Sequence, residues 1–286
     1  MGSLDLSKFL NKNKEIDYEK LELATRFGVQ FLDSVIDVSS FPTKDIETWA
    51  KENRAIGLGI MGLADLFLLK KIAYGSEESI EELSKILDFI NKIAESESIN
   101  LGQKYGMPIE CEKLETPRRN ITILTCAPTG TISLIGGCSS GIEPIFSEIT
   151  VRNDKTGTYT FENNLADKEY FRCAVSSNGA TEVTWEEHIK ILSTAQKYID
   201  SGVSKTINFP THTRRETMGK AVVMAWKENC KGVAMYRNGS RKTEVLTPKN
   251  LKKDRCPICG NDMVELKGKL RCTKCITKEE SSTYYD

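Results

Sequence analysis

Three stretches of the chain hold residues whose types and spacing can do chemistry. Near the C-terminus, Cys256-Pro-Ile-Cys259-Gly is followed, twelve residues on, by Cys272-Thr-Lys-Cys275. Two such pairs supply the four thiolates that tetrahedral zinc prefers, and Gly260 lets the first knuckle turn without steric cost. With every ligand position taken by protein sulfur, such an ion is structural. A redox dithiol pair and unrelated free thiols are the other readings. The second stretch is Pro128-Thr129-Gly130-Thr131-Ile132-Ser133, placed between an apolar run and a segment, 133–136, that can open a helix. A turn at a helix start presents free N–H groups and hydroxyls, which suits a phosphate, although a plain helix cap has the same composition. It carries no Walker lysine and is not a P-loop. The third stretch, Gly57-Leu-Gly59-Ile-Met-Gly62, has the spacing of a dinucleotide fingerprint, but a polar, helix-like run precedes it where a strand is required. Close packing of backbone on backbone explains these glycines better.

The elements that must position these stretches alternate in type. Apolar residues at helical spacing predict helices over 17–37 (Leu21, Ala24, Phe31, Leu32, Val35, Ile36), 81–101 (Leu83, Ile86, Leu87, Ile90, Ala94), 185–199 and 217–226. A shorter helix over 43–53 has Thr43 as its N-cap and acids in its first turns. Short runs at 120–126 (NITILTC), 181–184, 205–209 (KTINF) and 232–236 (GVAMY) read as strands. Helices alternating with short strands predict a parallel α/β architecture. The stretch 241–255 is polar, basic and broken by Pro248, and reads as a linker to the small cysteine-bearing module. That module, of about 30 residues, is too small to fold on burial alone, so a metal has a structural task there.

Composition narrows the function classes. The 286 residues allow one large domain or two modest ones, and 40 positive charges balance 40 negative ones. An apolar fraction of 39% argues against disorder, and neutrality argues against a chain held to nucleic acid by global charge. Two histidines, His188 and His212, exclude any site that needs three. No apolar run approaches the ~20 residues of a membrane span, and the N-terminus lacks the apolar core of a secretory signal. Nine cysteines without an export signal point to a reducing cytoplasm, with Cys111, Cys126, Cys138, Cys173 and Cys230 as free, buried, small apolar residues.

Four blocks in order resemble the large catalytic chain of ribonucleotide reductase: NRAIGLGIMGLADLF (53–67), RRNITILTCAPTGTISLIGGCSSGIEPIF (118–146), SGVSKTINFP (201–210) and KGVAMYRNGSRKTEVL (231–246). The double-CxxC tail resembles that of the adenosylcobalamin-dependent class. The resemblance implies the C-terminal half of a ten-stranded α/β barrel over residues 1–245, a basic linker over 246–255 and a four-cysteine zinc-ribbon tail over 256–286. It also implies that Pro128 to Ser133 hold the phosphates of a ribonucleoside di- or triphosphate, with Glu143 shaping the site or serving only as a structural carboxylate. Adenosylcobalamin, structural zinc and a thioredoxin-like or dithiol reductant are the implied cofactors and partners, with no membrane.

The chain departs from the family in lacking the Asn-Pro-Cys-Gly-Glu loop that carries the thiyl cysteine and the stretch ending in Cys-Asn. Met1-Gly-Ser-Leu4 reads as if it followed that second cysteine directly. The expectation is therefore a radical cysteine upstream of Met1, no catalytic residue within this chain, and dependence on a complementary N-terminal chain. Two further readings are a zinc-ribbon protein gripping nucleic acid through Lys242, Lys249, Lys252, Lys253 and Arg255, and a regulatory relic that binds nucleotide without chemistry.

Overall fold

The computed structural model describes residues 1–154, 157–166, 168–176 and 181–240, and the strands 246–248, 263–266 and 269–272. The chain opens with β1 (Gly2–Asp5), a single 3-10 turn, α1 (Tyr18–Val38) and α2 (Lys44–Asn53), then returns as β2 (Leu58–Met61) parallel to β1. Asp17 caps α1 by accepting from Lys20 N–H, and Thr43 caps α2 by accepting from Ile46 N–H. The short α3 (Leu63–Lys70) leads to α4 (Glu77–Tyr105), capped by Ser76 and ended by Gly106 at φ 87°. Leu83, Ile86, Leu87, Ile90 and Ala94 of α4 are buried in the main core, where α4 packs along α1 and Leu6, Leu21, Leu63 and Leu66 fill the remaining space.

Beyond the short α5 (Ile109–Glu112) and α6 (Ile132–Gly136) come β3 (Ile149–Asp154) and β4 (Gly157–Glu162), then α7 (Trp185–Gln196), β5 (Thr206–Phe209), α8 (Arg215–Lys227), β6 (Ala234–Arg237), β7 (Leu246–Pro248), β8 (Met263–Leu266) and β9 (Lys269–Cys272). A capping box between Thr184 and Glu187 starts α7. β3 lies between β4 and β7 in an antiparallel sheet, and β8 pairs antiparallel with β9.

Five parallel segments lie side by side in chain order. β1 pairs with β2. Residues 122–126 run beside β2, with Leu58 N–H donating to the Ile123 carbonyl and Thr125 N–H to the Leu58 carbonyl. Residues 201–204 run beside that stretch, through Cys126 N–H to the Gly202 carbonyl and Ser204 N–H to the Cys126 carbonyl. They continue into β5, which pairs with β6. Helices cross over between successive segments, as parallel pairing requires. The order never reverses, so the described run has no switch point of the doubly wound kind.

The helices expected from the sequence are present, while the strands differ in several places: 120–126 pairs only through isolated bridges at Leu124 and Cys126, and β3 and β4 were not expected. The linker expected over 246–255 begins as strand, because Leu246–Pro248 pairs with β3; residues 249–255 lie outside the described residues. The run 181–184 makes only an isolated bridge at Glu182. β1 and β2 were not expected as strands. β2 is buried at all four positions, so it shows no alternation of apolar and polar residues. Gly59 within it allows a close approach: a Cβ there would stand 2.2 Å from the Thr125 carbonyl oxygen. No helix among the described residues is long and apolar enough to cross a membrane.

Candidate functional site

All five parallel segments point the same way, so their C-terminal ends share one edge, where ligands of parallel α/β folds bind. A cavity of about 560 Å³ lies between residues 133–146, which follow the third segment, and the faces of β5 and β6 at Thr206, Asn208 and Ala234 to Tyr236. Its size suits a nucleotide-sized ligand. Ser133, Ser139, Ser140 and Glu143 line the first side, and Asn208 and Tyr236 the second.

The turn 128–133 leaves the third of the five segments and opens α6. Thr129 holds a left-handed conformation at φ 55°, an uncommon one for a non-glycine residue. Its hydroxyl accepts from Gly141 N–H at 2.7 Å, which ties the turn to the far end of the loop. Ser133 N–H returns to the Thr129 carbonyl at 2.9 Å, and the Ser133 hydroxyl shares a bond with Ser140 Oγ at 2.8 Å. Thr131 is the N-cap residue of α6, yet its side chain makes no capping bond. Among the described residues nothing accepts from the N–H groups of Gly130, Thr131 and Ile132. These are the donors that a helix start leaves over. Of the six residues singled out in the sequence, only Ser133 lines the cavity; Gly130, Thr131 and Ile132 lie exposed at its side.

The cavity wall is braced from behind. Ser139 N–H donates to the Asp65 carboxylate, while Ser139 Oγ is buried with no partner among the described residues. A buried hydroxyl left so costs about 1–3 kcal/mol. Glu143 Oε1 accepts from Thr206 N–H at 2.7 Å, and Oε2 accepts from the ammonium of Lys205 at 2.6 Å. Lys205 also donates to His188 Nδ1 at 2.8 Å and to the Thr206 carbonyl at 2.9 Å. Burial, with help from Lys205 and Arg172, holds the His188 imidazole well below its ordinary value, so it is neutral. Its Nδ1 is then the acceptor, and its proton sits on Nε2.

The cysteines divide. Cys111, Cys126 and Cys173 are buried as expected, but Cys138 is half-buried on the cavity wall and Cys230 is also partly exposed. Burial pushes the thiols of Cys126, Cys138 and Cys173 up to about 12, with Glu143 adding to the effect at Cys126 and with Asp5 and Asp65 adding to it at Cys138. None of the three is a thiolate at neutral pH. Among the described residues no three His, Cys, Asp or Glu side chains are grouped to hold a metal. Cys256, Cys259 and Cys275 of the expected zinc site lie outside the described residues, and Cys272 is described only as the end of β9.

Ser139, Ser140, Asn208, Tyr236 and Lys205 were missed as cavity or wall residues in the sequence. The one signal available was Lys205 itself, a charge at the head of an apolar strand.

The family model described as the barrel domain of ribonucleotide reductase matches residues 1–114 and 111–236. The chain is 36% identical to a vitamin B12-dependent ribonucleoside-diphosphate reductase of Thermoplasma acidophilum, over 86% of this chain and 36% of that protein. It is 32% identical to a protein of the same description from Mycobacterium tuberculosis, over 86% of this chain and 40% of that one. It is 25% identical to a ribonucleoside-diphosphate reductase subunit alpha of Chlamydia pneumoniae, over 83% of this chain and 29% of that one. The chain thus spans well under half the length of these curated relatives.

Proposed function

The chain belongs to the ribonucleotide reductase family, and on that premise we propose that it forms part of a cytoplasmic, vitamin B12-dependent reductase that converts ribonucleoside di- or triphosphates to 2′-deoxyribonucleotides for DNA synthesis. In this reading the five parallel segments are one half of the ten-stranded barrel, within residues 1–245. A basic linker to residue 255 and a zinc ribbon over 256–286 follow. The antiparallel pair β8 and β9 supports the ribbon, since it follows the first CxxC pair and ends on Cys272 of the second.

The observation that carries the reading is the turn 128–133 at the C-terminal end of the third segment, with three uncommitted N–H groups beside a cavity of nucleotide size. Aligned N–H groups at a helix start favour an anion, and hydroxyls add donors to it. Pro128, Thr129, Gly130, Thr131, Ile132 and Ser133 hold the substrate phosphates: Thr129 locks the turn, and the Ser133 hydroxyl, shared with Ser140, stands behind the free N–H groups. Glu143 shapes the wall and takes no part in the chemistry.

The Asn-Pro-Cys-Gly-Glu loop and its radical cysteine, which are not among these 286 residues, are supplied by further polypeptide, and a thioredoxin-like or dithiol reductant renews the electron-donating pair. The adenosyl form of cobalamin is the matching cofactor. No residue described is assigned to the cofactor, and no step is routed through it.

Turnover tests the proposal. The chain alone, given adenosylcobalamin, nucleotide and a dithiol, yields no deoxynucleotide, and adding a chain that carries the missing loop yields it. Product from the chain alone would place the radical on Cys126, Cys138 or Cys173. No product from two folded, associated chains would remove the catalytic reading.

A further inference from the structure

A buried ammonium stands directly behind the cavity wall, and the phosphate turn makes no use of it. The Lys205 side chain has 0% exposure, and its three hydrogens go to Glu143 Oε2, His188 Nδ1 and the Thr206 carbonyl. Glu143 is 26% exposed and lines the cavity, with its second oxygen held by Thr206 N–H. Burying an ammonium is expensive, and an apolar residue of similar volume fills such a place at lower cost. The charge is therefore retained for something other than packing. The cavity supplies a reason, since a carboxylate in its wall, if unpaired, repels a polyanion entering beside it.

We propose that Lys205 is a positioning residue that neutralises and fixes Glu143, so that the cavity accepts the phosphates of a nucleoside di- or triphosphate. This rests on the nucleotide reading of the cavity given above. His188 completes the device from α7, its neutral Nδ1 taking the hydrogen of Lys205 that no oxygen accepts.

Calorimetric titration of the full chain with cytidine diphosphate and with cytidine separates this role from simple bracing. Lys205→Met weakens diphosphate binding about tenfold or more, as expected for an uncompensated charge at short range, and leaves cytidine within about twofold. The double variant Lys205→Met/Glu143→Gln restores the diphosphate to within about threefold, because replacing both members of a buried pair leaves no lone charge. Glu143→Gln alone, which keeps the lysine and serves if Lys205→Met does not fold, tightens diphosphate binding and leaves cytidine unchanged. Equal losses for the two ligands in Lys205→Met, or a loss of diphosphate affinity in Glu143→Gln, overturn the inference and leave the pair as a brace between loop and strand. A wild-type chain that binds neither ligand overturns instead the nucleotide reading beneath it.

Discussion

Asp33→Asn tests how the third parallel segment, and with it the turn 128–133, is held in place. The Asp33 carboxylate is buried on α1, where it accepts from Arg54 Nε at 2.8 Å, Arg119 Nε at 2.8 Å and Asn120 Nδ2 at 2.9 Å. One side chain thus joins α1, the end of α2 and the residues that lead into 122–126. Burial pulls this carboxyl upward, but the bonds from Arg54, Arg119 and Asn120 outweigh it and hold it below the ordinary range. Asparagine keeps the shape and removes the charge. Arg54 retains Asp37 at 2.7 Å, whereas Arg119, 11% exposed at its side chain, loses its only carboxylate among the ion pairs described. Removing one partner of a buried pair costs about 3–5 kcal/mol. In a domain of this size that lowers the melting temperature by about 6–20 °C. Urea denaturation followed by far-UV circular dichroism at neutral pH reads the loss directly. Asp33 is depressed in the folded state, so its contribution is fully present above the unfolded carboxyl value of about 3.9 and is lost as pH falls through the lower folded value. The gap between wild type and variant therefore narrows in acid. A loss under about 1 kcal/mol, or a gap independent of pH below about 4, would refute the reasoning.

Gly59→Ala brings a Cβ to 2.2 Å from the Thr125 carbonyl oxygen, and backbone cannot yield there as a side chain can. Overpacking of this kind costs about 1–3 kcal/mol or more, while Gly219→Ala in α8, where nothing stands within 4 Å, gains about 0.5–1 kcal/mol; thermal melts that fail to separate the two contradict the close-contact reading. Thr131→Val and Ser133→Ala each remove a hydroxyl near the proposed phosphates and weaken nucleotide binding by about 1.5–3 kcal/mol, or roughly ten- to a hundredfold. Unchanged affinity in both reduces the turn to a helix start. Metal analysis of the purified chain finds about one zinc per molecule, released by Cys259→Ser or Cys272→Ser with the melting of residues 1–236 unchanged; metal-free protein with intact thiols removes the ribbon.

What could be read from the sequence followed from how local each signal is. α1, α4, α7 and α8 announce themselves through apolar residues at helical spacing, and α2 through Thr43 and the acids that follow. The start of α4 was expected late, at residue 81, because its first turn is Glu77-Glu78-Ser79, polar residues that suit a capped start and carry no apolar period. β1 and β2 stayed hidden for a different reason. They are four residues each, and β2 is buried along its whole length with a glycine in it, so neither period nor β-branched content marks it. The turn 128–133 was visible as a composition, but its surroundings were not. Ser139, Asn208, Tyr236 and Lys205 reach the cavity or its wall from segments up to about a hundred residues away, and only the parallel order of the strands brings them together. The same holds for Cys138, expected to be buried and found on the cavity wall, since its exposure depends on where α6 ends.

The phosphate-holding role of the turn is tested most directly by hydrogen exchange of the full chain, read by mass spectrometry with and without cytidine diphosphate. The N–H groups of Gly130, Thr131 and Ile132 have no acceptor among the described residues and exchange freely in the unliganded protein. If they hold phosphate, the peptide spanning them slows its exchange with cytidine diphosphate and does not with cytidine. Exchange there that is unchanged at saturating nucleotide, or protection confined to another part of the chain, would contradict the assignment of this turn to the substrate.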